Sequence, residues 1–312
     1  MGRTVGASPY AARVTTTTPS AAPDEARRPS LSPSRANDYA QCPLLFRFRV
    51  VDRLPEEPSL AAVRGTLVHA VLERLFDAPA GQRTPTAAKA LIAGCWDAML
   101  EAEPRCAEVL EGAEPAELFA QAADLVDTYF TLEDPNRLEP AERELAVRVD
   151  LDDLQLRGIV DRLDVAPDGA LRVVDYKTGR SPTPGFESAA LFQMRFYALA
   201  LARLRGRVPA MLQLVYLGDG TLLRHVPDAA ELETTALRIR AIWSSIRASA
   251  EQRSWTPRPS ALCSWCSHQE LCPAFGGTPP EVTDEAVALA LGLAPAQGPI
   301  PSATTPAPAP SG

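Results

Sequence analysis

Two carboxylates and a lysine fall on what the sequence predicts to be one β-hairpin. Strongly β-forming stretches flank Pro167-Asp168-Gly169, which favours a tight turn. A turn there places Asp161 directly across from Asp175, and Lys177 projects from the same face as Asp175. Carboxylates this close repel one another unless a cation lies between them. Oxygen ligands suit a hard divalent ion, so the pattern predicts a site for Mg²⁺ or Mn²⁺.

The lysine of this hairpin is unusual for the chain. Of 31 basic residues, only Lys89 and Lys177 are lysines, and the others are arginines. A compact ammonium that can shift its pKa and orient or deprotonate a water is a role that arginine fills poorly. The alternative is a charged surface hairpin whose spacing arose by chance.

Two helical patterns offer further side chains to such a site. His69 lies in the amphipathic stretch 64–77, and its imidazole would add a nitrogen ligand to a carboxylate-bound ion. Gln193 and Tyr197 are four residues apart in a helical stretch at 187–205, so they share a face and would line a substrate groove. The alternatives are a structural histidine and a helix face packed on the sheet.

Three cysteines near the end of the folded region have the spacing of metal ligands. Cys263, Cys266 and Cys272 follow the pattern C-x2-C-x5-C in a loop with little regular structure. Cys42, in a Gln-Cys-Pro sequence after the first predicted helix, is the best candidate for a fourth ligand, and His268 is a weaker alternative. Four thiolates would hold zinc or an iron–sulfur cluster, and spacing alone leaves both open.

The elements that must position these residues occupy residues 31–276. An α-β-β-β-α-β-β pattern predicts an α/β fold with a mixed central β-sheet flanked by helices and an added helical region at about 86–130. Residues 1–30 are expected to be disordered. The Pro/Ala-rich stretch 277–312 is expected to be a flexible tail with one short helix near 281–292.

Composition narrows the class of protein. The chain lacks a secretory signal and an 18-residue apolar run, which predicts a cytoplasmic protein with no membrane contact, whose six cysteines are thiols or metal ligands. The net charge of −8 argues against a generic nucleic-acid binder. However, residues 171–210 carry seven basic and two acidic residues, so a basic segment accompanies the predicted metal site.

Several motifs, in order along the chain, resemble the RecB-like and Cas4-like branch of the PD-(D/E)XK nuclease superfamily. The resemblance runs from about Ser32 to Phe275 and implies a restriction-endonuclease-like core. Its motifs are SPSRANDYAQCPLLFRFR at 32–49, GTLVH at 65–69, GIVDRLD at 158–164, DYKTG at 175–179, the Gln193/Tyr197 pair, and the cysteine tail. The cysteines match an AddB-type clasp, so the resemblance favours [4Fe–4S] over zinc.

The resemblance implies metal-dependent hydrolysis of DNA phosphodiester bonds. By that analogy, His69, Asp161, Asp175 and the backbone carbonyl of Tyr176 would hold Mg²⁺ or Mn²⁺, and Lys177 would orient or activate the attacking water. Gln193 and Tyr197 would position the DNA strand. Basic residues expected to contact phosphates are Arg35, Arg47, Arg49 and Arg180.

The function predicted in this way is an exonuclease acting on single-stranded DNA or DNA ends in repair or recombination. No P-loop motif G-x-x-x-x-G-K-[ST] occurs, so the chain would act alone or with a separate helicase. Two alternatives remain open at this point. One is a DNA-binding or partner-docking module with weak or no nuclease activity, and the other is a zinc-clasped structural protein.

Overall fold

The computed structural model describes residues 28–112, 114–183 and 187–293. The helices in these ranges are α1 (Pro33–Gln41), α2 (Pro43–Phe46), α3 (Leu60–Leu75), α4 (Pro85–Ala90), α5 (Ile92–Ala102), α6 (Ala116–Leu132), α7 (Ser188–Arg205), α8 (Ala229–Glu251) and α9 (Asp284–Leu291). The strands are β1 (Ser30–Leu31), β2 (Glu142–Leu151), β3 (Leu154–Val165), β4 (Leu171–Lys177), β5 (Met211–Tyr216) and β6 (Thr221–His225).

The six strands form one mixed sheet in which β3 is the most connected element. The main path runs β1-β3-β4-β5-β6, and β2 pairs with β3 along its other edge. The β2–β3, β3–β4 and β5–β6 pairs are antiparallel, whereas β1–β3 and β4–β5 are parallel. The predicted turn between β3 and β4 forms, with Gly169 in the left-handed region at a φ of 81°.

Helices cover both faces of the sheet, so the fold is a mixed α/β fold as predicted. On one face, Val173 of β4 packs with residues of α1, α7, α8 and α9. On the other face, Val174 and Tyr176 pack with residues of α3, α5 and α6. The alternation along β4 follows from the two-residue period of a strand, and it places the added helical region, α4 to α6, on the second face.

Local sequence signals account for several of the element boundaries. Ser32 begins α1 as an N-cap, because its Oγ accepts a hydrogen bond from the backbone N–H of Arg35 at 3.3 Å. Asp228 caps α8 in the same way through the N–H of Glu231 at 2.8 Å. A π-helical turn at Arg47–Val51 follows α2 directly, and the sequence did not reveal it.

Part of the segment expected to be a flexible tail forms a packed helix. Helix α9 packs on the first face of the core, where Val287 and Leu291 are buried. These two residues are four positions apart and share a helix face, and the helix falls within the range predicted for a short helix, 281–292. Of the expected disordered segment 1–30, residues 1–27 lie outside the described residues, as do residues 294–312 of the expected tail. Ser30 already belongs to β1.

Three short 3-10 helices carry the cysteine-rich loop, at Ala261–Trp265, Gln269–Leu271 and Pro273–Phe275. The loop returns to the beginning of the folded region, next to α1 and α2. Trp255 joins it there by stacking on Phe46, with ring centroids 5.8 Å apart. In the part of the chain that the structure describes, no helix combines the length and the apolar character needed to cross a bilayer.

Candidate active site

One cluster of potential metal ligands lies where β2 and β3 face α3. Glu144 of β2 falls between the registered pairs Arg143–Arg162 and Leu145–Val160, and therefore lies opposite Asp161 of β3. His69 of α3 completes the cluster, and the ligand atoms of the three side chains lie within 4.8 Å of one another. His69 Nδ1 is 3.4 Å from Asp161 Oδ2.

Glu144 is the site residue that sequence reasoning missed. Its backbone has a φ of 45°, in the left-handed region that a residue with a side chain rarely adopts. Such conformations cost about 1–3 kcal/mol and concentrate at functional sites. The acidic residue opposite a predicted ligand would have been a signal, but using it required the register of β2 against β3.

A second group of polar side chains surrounds Asp175, which is buried on β4 with 2% of its surface exposed. Lys177 Nζ lies 2.7 Å from Asp175 Oδ2. The side-chain amide of Gln193, on α7, donates to Asp175 Oδ1 at 3.0 Å, and its Oε1 accepts from Lys177 Nζ at 3.0 Å. Gln193 therefore fixes the carboxylate and the ammonium relative to each other.

Tyr197 supports this group from the adjacent turn of α7. Its hydroxyl oxygen lies 3.3 Å from Gln193 Nε2, which donates to it. Its ring lies against Gly158 of β3, where an added Cβ would be 2.6 Å from the ring. A glycine is therefore required at 158 for α7 to approach β3. The ring is buried and packs within the fold, and its role in lining a substrate groove stays a prediction.

The two groups meet at the backbone of Tyr176. Its N–H donates to Asp161 Oδ2 at 2.8 Å, and its carbonyl oxygen lies 2.9 Å from His69 Nε2. The β3–β4 pairing ends at Arg162–Val174, so the carboxylate of Asp161 takes the amide that a longer ladder would have used. The expected ligand role of the Tyr176 carbonyl would require that oxygen to exchange its contact with His69.

This geometry fits a cation. A carbonyl oxygen only accepts hydrogen bonds, so the proton of a neutral His69 lies on Nε2 and leaves a lone pair on Nδ1. Burial also lowers the pKa of His69, which favours that neutral form. The Nδ1 lone pair and the Asp161 carboxylate then meet with no proton between them. Two electron-pair donors in this arrangement are suited to a divalent ion.

The pKa values of two acidic groups of the site, Asp161 and Glu144, are raised by burial and by neighbouring negative charges. Burial raises the pKa of the Asp161 carboxyl well above its usual range, and the neighbouring Asp175 adds to the rise. The pKa of Glu144 is raised by burial first, then by Glu73 and Asp175. A positive charge among these groups would offset both causes.

Arg162 anchors the strands beneath the site. It is buried with 1% exposed, and forms ion pairs with Glu133 at 2.8 Å and with Asp164 at 3.1 Å. It also donates to the hydroxyl of Tyr176 at 2.6 Å. The contacts tie β3 and β4 to the end of α6. Arg162 was visible in sequence only as part of the GIVDRLD motif, without a role.

The four predicted cluster cysteines come together where the cysteine-rich loop meets the junction of α1 and α2. Cys42, Cys263, Cys266 and Cys272 line one cavity of about 40 Å³. Two of their sulfurs accept backbone hydrogen bonds, from Arg258 N to Cys42 Sγ at 3.4 Å and from Ser260 N to Cys263 Sγ at 3.3 Å. Within the described chain, no three of the sulfurs lie within 4.8 Å of one another.

His268, the weaker alternative ligand, is engaged elsewhere. It is buried, its Nε2 lies 2.9 Å from Glu56 Oε1, and its ring lies edge-on to Phe48 at 5.3 Å. The remaining cysteines, Cys95 and Cys106, belong to the opposite core cluster with α5. The structure therefore separates the four cysteines that line the cavity from two that only pack.

Two of the arginines expected to contact phosphates instead form ion pairs within the fold. Arg47 is buried, pairs with Asp52 at 3.0 Å and donates to the carbonyl of Pro280. Arg49 pairs with Asp38 at 2.6 Å and with Glu56 at 2.8 Å. The sequence cannot show such partners, and the expectation fails for Arg47 because its guanidinium is enclosed.

Arg35 and Arg180 differ from those two arginines. Arg180 is exposed beyond the end of β4. Arg35 is half-buried in the first turn of α1, where burial and then the charges of Arg157 and Arg53 lower its pKa.

Comparisons with known proteins agree with this architecture. The model of one family, described as the PD-(D/E)XK nuclease superfamily, matches residues 30–273. A curated relative, the gene 69 protein of Mycobacterium phage L5, is 29% identical over 135 residues, which span 42% of this chain and 44% of the relative. The chain therefore matches less than half the length of that protein.

A solved structure gives a broader match of the fold. It is the crystal structure of a protein from Eubacterium rectale named "putative exonuclease", which superposes with a TM-score of 0.54 at 16% identity. The match covers 81% of this chain and 92% of that one.

Proposed function

Because the chain belongs to the PD-(D/E)XK nuclease superfamily, we propose that it is a metal-dependent deoxyribonuclease of the RecB-like branch that degrades DNA from single strands or ends. The observation that carries the proposal is the meeting of two side-chain groups at Tyr176. One contains Glu144 and Asp161, and the other contains Asp175 and Lys177. The family resemblance extends the proposal to DNA repair or recombination and to a separate helicase as a partner.

Nucleases of this superfamily use divalent metals, and the donor set of this chain fits one. His69 Nδ1 and the carboxylates of Glu144, Asp161 and Asp175 would hold Mg²⁺ or Mn²⁺. When bound, such an ion polarises a phosphoryl oxygen and lowers the pKa of a coordinated water. The protein contributes a rigid arrangement, because the two aspartates lie on neighbouring strands and His69 lies on a helix packed against them.

Lys177 is the group that would orient the attacking water. Its ammonium is held between Asp175 and Gln193, and it remains partly exposed. An ammonium fixed by two partners can direct its remaining N–H toward a water or a phosphate oxygen without first reorganising. Gln193 and Tyr197 are positioning residues, since their contacts are with Asp175 and Lys177 and with each other.

The test is cleavage of end-labelled single- and double-stranded DNA in the presence of Mg²⁺ or Mn²⁺. We expect Asp175→Asn and Lys177→Ala each to lower the rate by about 10²–10³, the loss typical of removing one preorganised electrostatic group. Asp152→Asn is the matched control, because Asp152 is an exposed partner of Arg240. Equal rates in all variants would contradict the assigned roles. Binding of DNA without cleavage by the wild type would favour a docking module.

The cysteine cavity supports a further part of the proposal, a [4Fe–4S] cluster held by Cys42, Cys263, Cys266 and Cys272. A tetrahedral zinc with Zn–S bonds of about 2.3 Å would draw its sulfurs to about 3.8 Å from one another. Among the described residues, no three of the four sulfurs lie within 4.8 Å of one another, and the preference for a cluster over zinc rests on the family resemblance. Purification without oxygen, followed by iron, sulfide and zinc analysis, distinguishes the two. A colourless protein with one zinc per chain would contradict the cluster.

A further inference from the structure

An exposed face of the β2–β3 hairpin leads directly to the candidate active site. Along it, Arg148 lies opposite Arg157, and Ala146 lies opposite Ile159. Both arginines are exposed, and Ile159 is 52% exposed. The next position of β3 on that face is Asp161. Asp161 lies four positions after Arg157 along the strand, a distance of about 13 Å.

The arginine pair is a costly arrangement for the fold by itself. Like charges directly opposite on antiparallel strands are destabilising. Among the described residues, neither guanidinium has a hydrogen-bond or ion-pair partner, and the charge of Arg148 contributes to the lowered pKa of Arg157 after burial. Many other surface arginines of this acidic chain are paired, for example Arg240 with Asp152 at 2.6 Å.

Two more arginines from neighbouring elements lie close enough to interact electrostatically with this pair or with each other: Arg35 with Arg157, and Arg53 with Arg35. The pairing of Leu31 with Leu156 brings the beginning of α1, with Arg35, beside Arg157. Arg53, just after the π-helical turn, also acts on Arg35. The side chains of Arg35 and Arg53 likewise lack a hydrogen-bond or ion-pair partner in the part of the chain that the structure describes. Four separate elements thus contribute unpaired guanidinium groups to one patch.

We propose that Arg35, Arg53, Arg148 and Arg157 bind the phosphate backbone of a single DNA strand that runs along the exposed β2–β3 face to Asp161. The proposal rests on the proposed nuclease function and adds the path of the substrate. Guanidinium groups match phosphate geometry with paired N–H donors, and anions between them would remove the repulsion. Exposed Ile159 provides apolar contact for a sugar or base between the arginines and the site.

Binding, measured apart from cleavage, tests this path. Fluorescence anisotropy of a labelled single-stranded oligonucleotide, in EDTA and at several salt concentrations, gives the slope of log K against log salt. Each phosphate contact on single-stranded DNA contributes about 0.7 to that slope. We expect Arg148→Gln/Arg157→Gln to reduce the slope by about 1.4. The control Arg105→Gln/Arg240→Gln removes the same charge from ion-paired arginines and should leave the slope unchanged.

The outcomes separate this inference from the proposed function. Binding by the wild type with equal slopes in both double variants would overturn the path but leave the nuclease proposal standing. Failure of the wild type to bind DNA at low salt would overturn both. A second readout is thermal melting. Arg157→Gln should melt at or above the wild-type temperature, because it removes a like-charge contact. A clear fall in its melting temperature would assign Arg157 to the fold and contradict the proposal.

Discussion

The candidate active site and the cysteine cavity would both hold metal, but they are built in different ways. The ligands of the active site lie on β-strands and one helix, and hydrogen bonds already fix them, such as Tyr176 N–H to Asp161 at 2.8 Å. The cysteines lie on a loop of 3-10 turns and on the residue between α1 and α2, far apart in sequence. The sheet therefore preorganises the ligands of the active site, whereas a metal bound in the cysteine cavity would join segments that are distant in sequence.

The largest effect is therefore expected at the cysteine cavity. Cys266→Ala should lose the metal. It should lower the free energy of unfolding by up to about 5 kcal/mol, the chain-entropy value for closing the long loop from Cys42 to Cys263. This value is an upper bound, because the stacking of Trp255 on Phe46 would still hold the two ends of the loop together without the metal. Chemical denaturation checks it, with Cys106→Ala as the control outside the cavity. Identical unfolding midpoints for both variants would show that the cysteines do not clasp the chain.

The second largest effect is expected at the buried ion pair of Arg162 and Glu133, which ties β3 to the end of α6 beneath the active site. Arg162→Met should cost about 3–5 kcal/mol, because it leaves the buried Glu133 without its ion-pair partner and with only the hydrogen bond from Gln213. Arg172→Gln is the control, since Arg172 also pairs with Asp164 but is partly exposed, and such pairs contribute at most about 1 kcal/mol. Urea unfolding of both variants measures the difference.

The stability loss caused by Arg162→Met should depend on pH. Burial opposes ionisation of Glu133. The hydrogen bonds and charge of Arg162, with smaller contributions from a Gln213 hydrogen bond and the charge of Arg172, outweigh burial and hold the pKa of Glu133 below its usual value. This stabilisation is present above the unfolded pKa, about 4.3, and is lost as pH falls through the lower folded pKa. Without Arg162, burial raises the pKa instead, so the penalty of Arg162→Met should shrink between pH 8 and pH 4. A constant penalty would contradict the pairing.

A third, smaller effect concerns the ligand that the register revealed. Glu144→Gln should weaken Mn²⁺ binding by about 10–100-fold while leaving the fold intact, because Glu144 belongs to neither core cluster and Gln has nearly the same shape. Isothermal titration calorimetry measures the affinity, and Glu142→Gln on the same strand is the control. If Glu144→Gln binds Mn²⁺ as tightly as the wild type, Glu144 is not a ligand.

The smallest effect tests how α7 is held against β3. Gly158→Ala should destabilise the protein by about 1–3 kcal/mol, because its Cβ would overlap the Tyr197 ring. Gly94→Ala is the control, since a Cβ at that helical position meets no atom within 4 Å. Thermal unfolding of the two variants checks the direction, and a rise in both melting temperatures would contradict the close approach.

Much of the site was predictable because its signals are local. The turn at 167–169 and the two-residue period of the strands are enough to predict that Asp161, Asp175 and Lys177 lie close together. Glu144 was not predictable, because its position depends on the pairing of β2 with β3 and on a left-handed backbone. Long-range partners explain the other failures, since nothing near Arg47 in sequence announces its contact with Pro280.

The amide of Tyr176 carries a consequence of its own. It is a sheet donor whose acceptor is a side chain of the candidate catalytic centre rather than a neighbouring backbone. Any change in the electron density of that oxygen must alter the shielding and the exchange rate of one assignable proton. A single nuclear magnetic resonance peak would thus report, in an intact and untagged chain, when Asp161 gains a new neighbour.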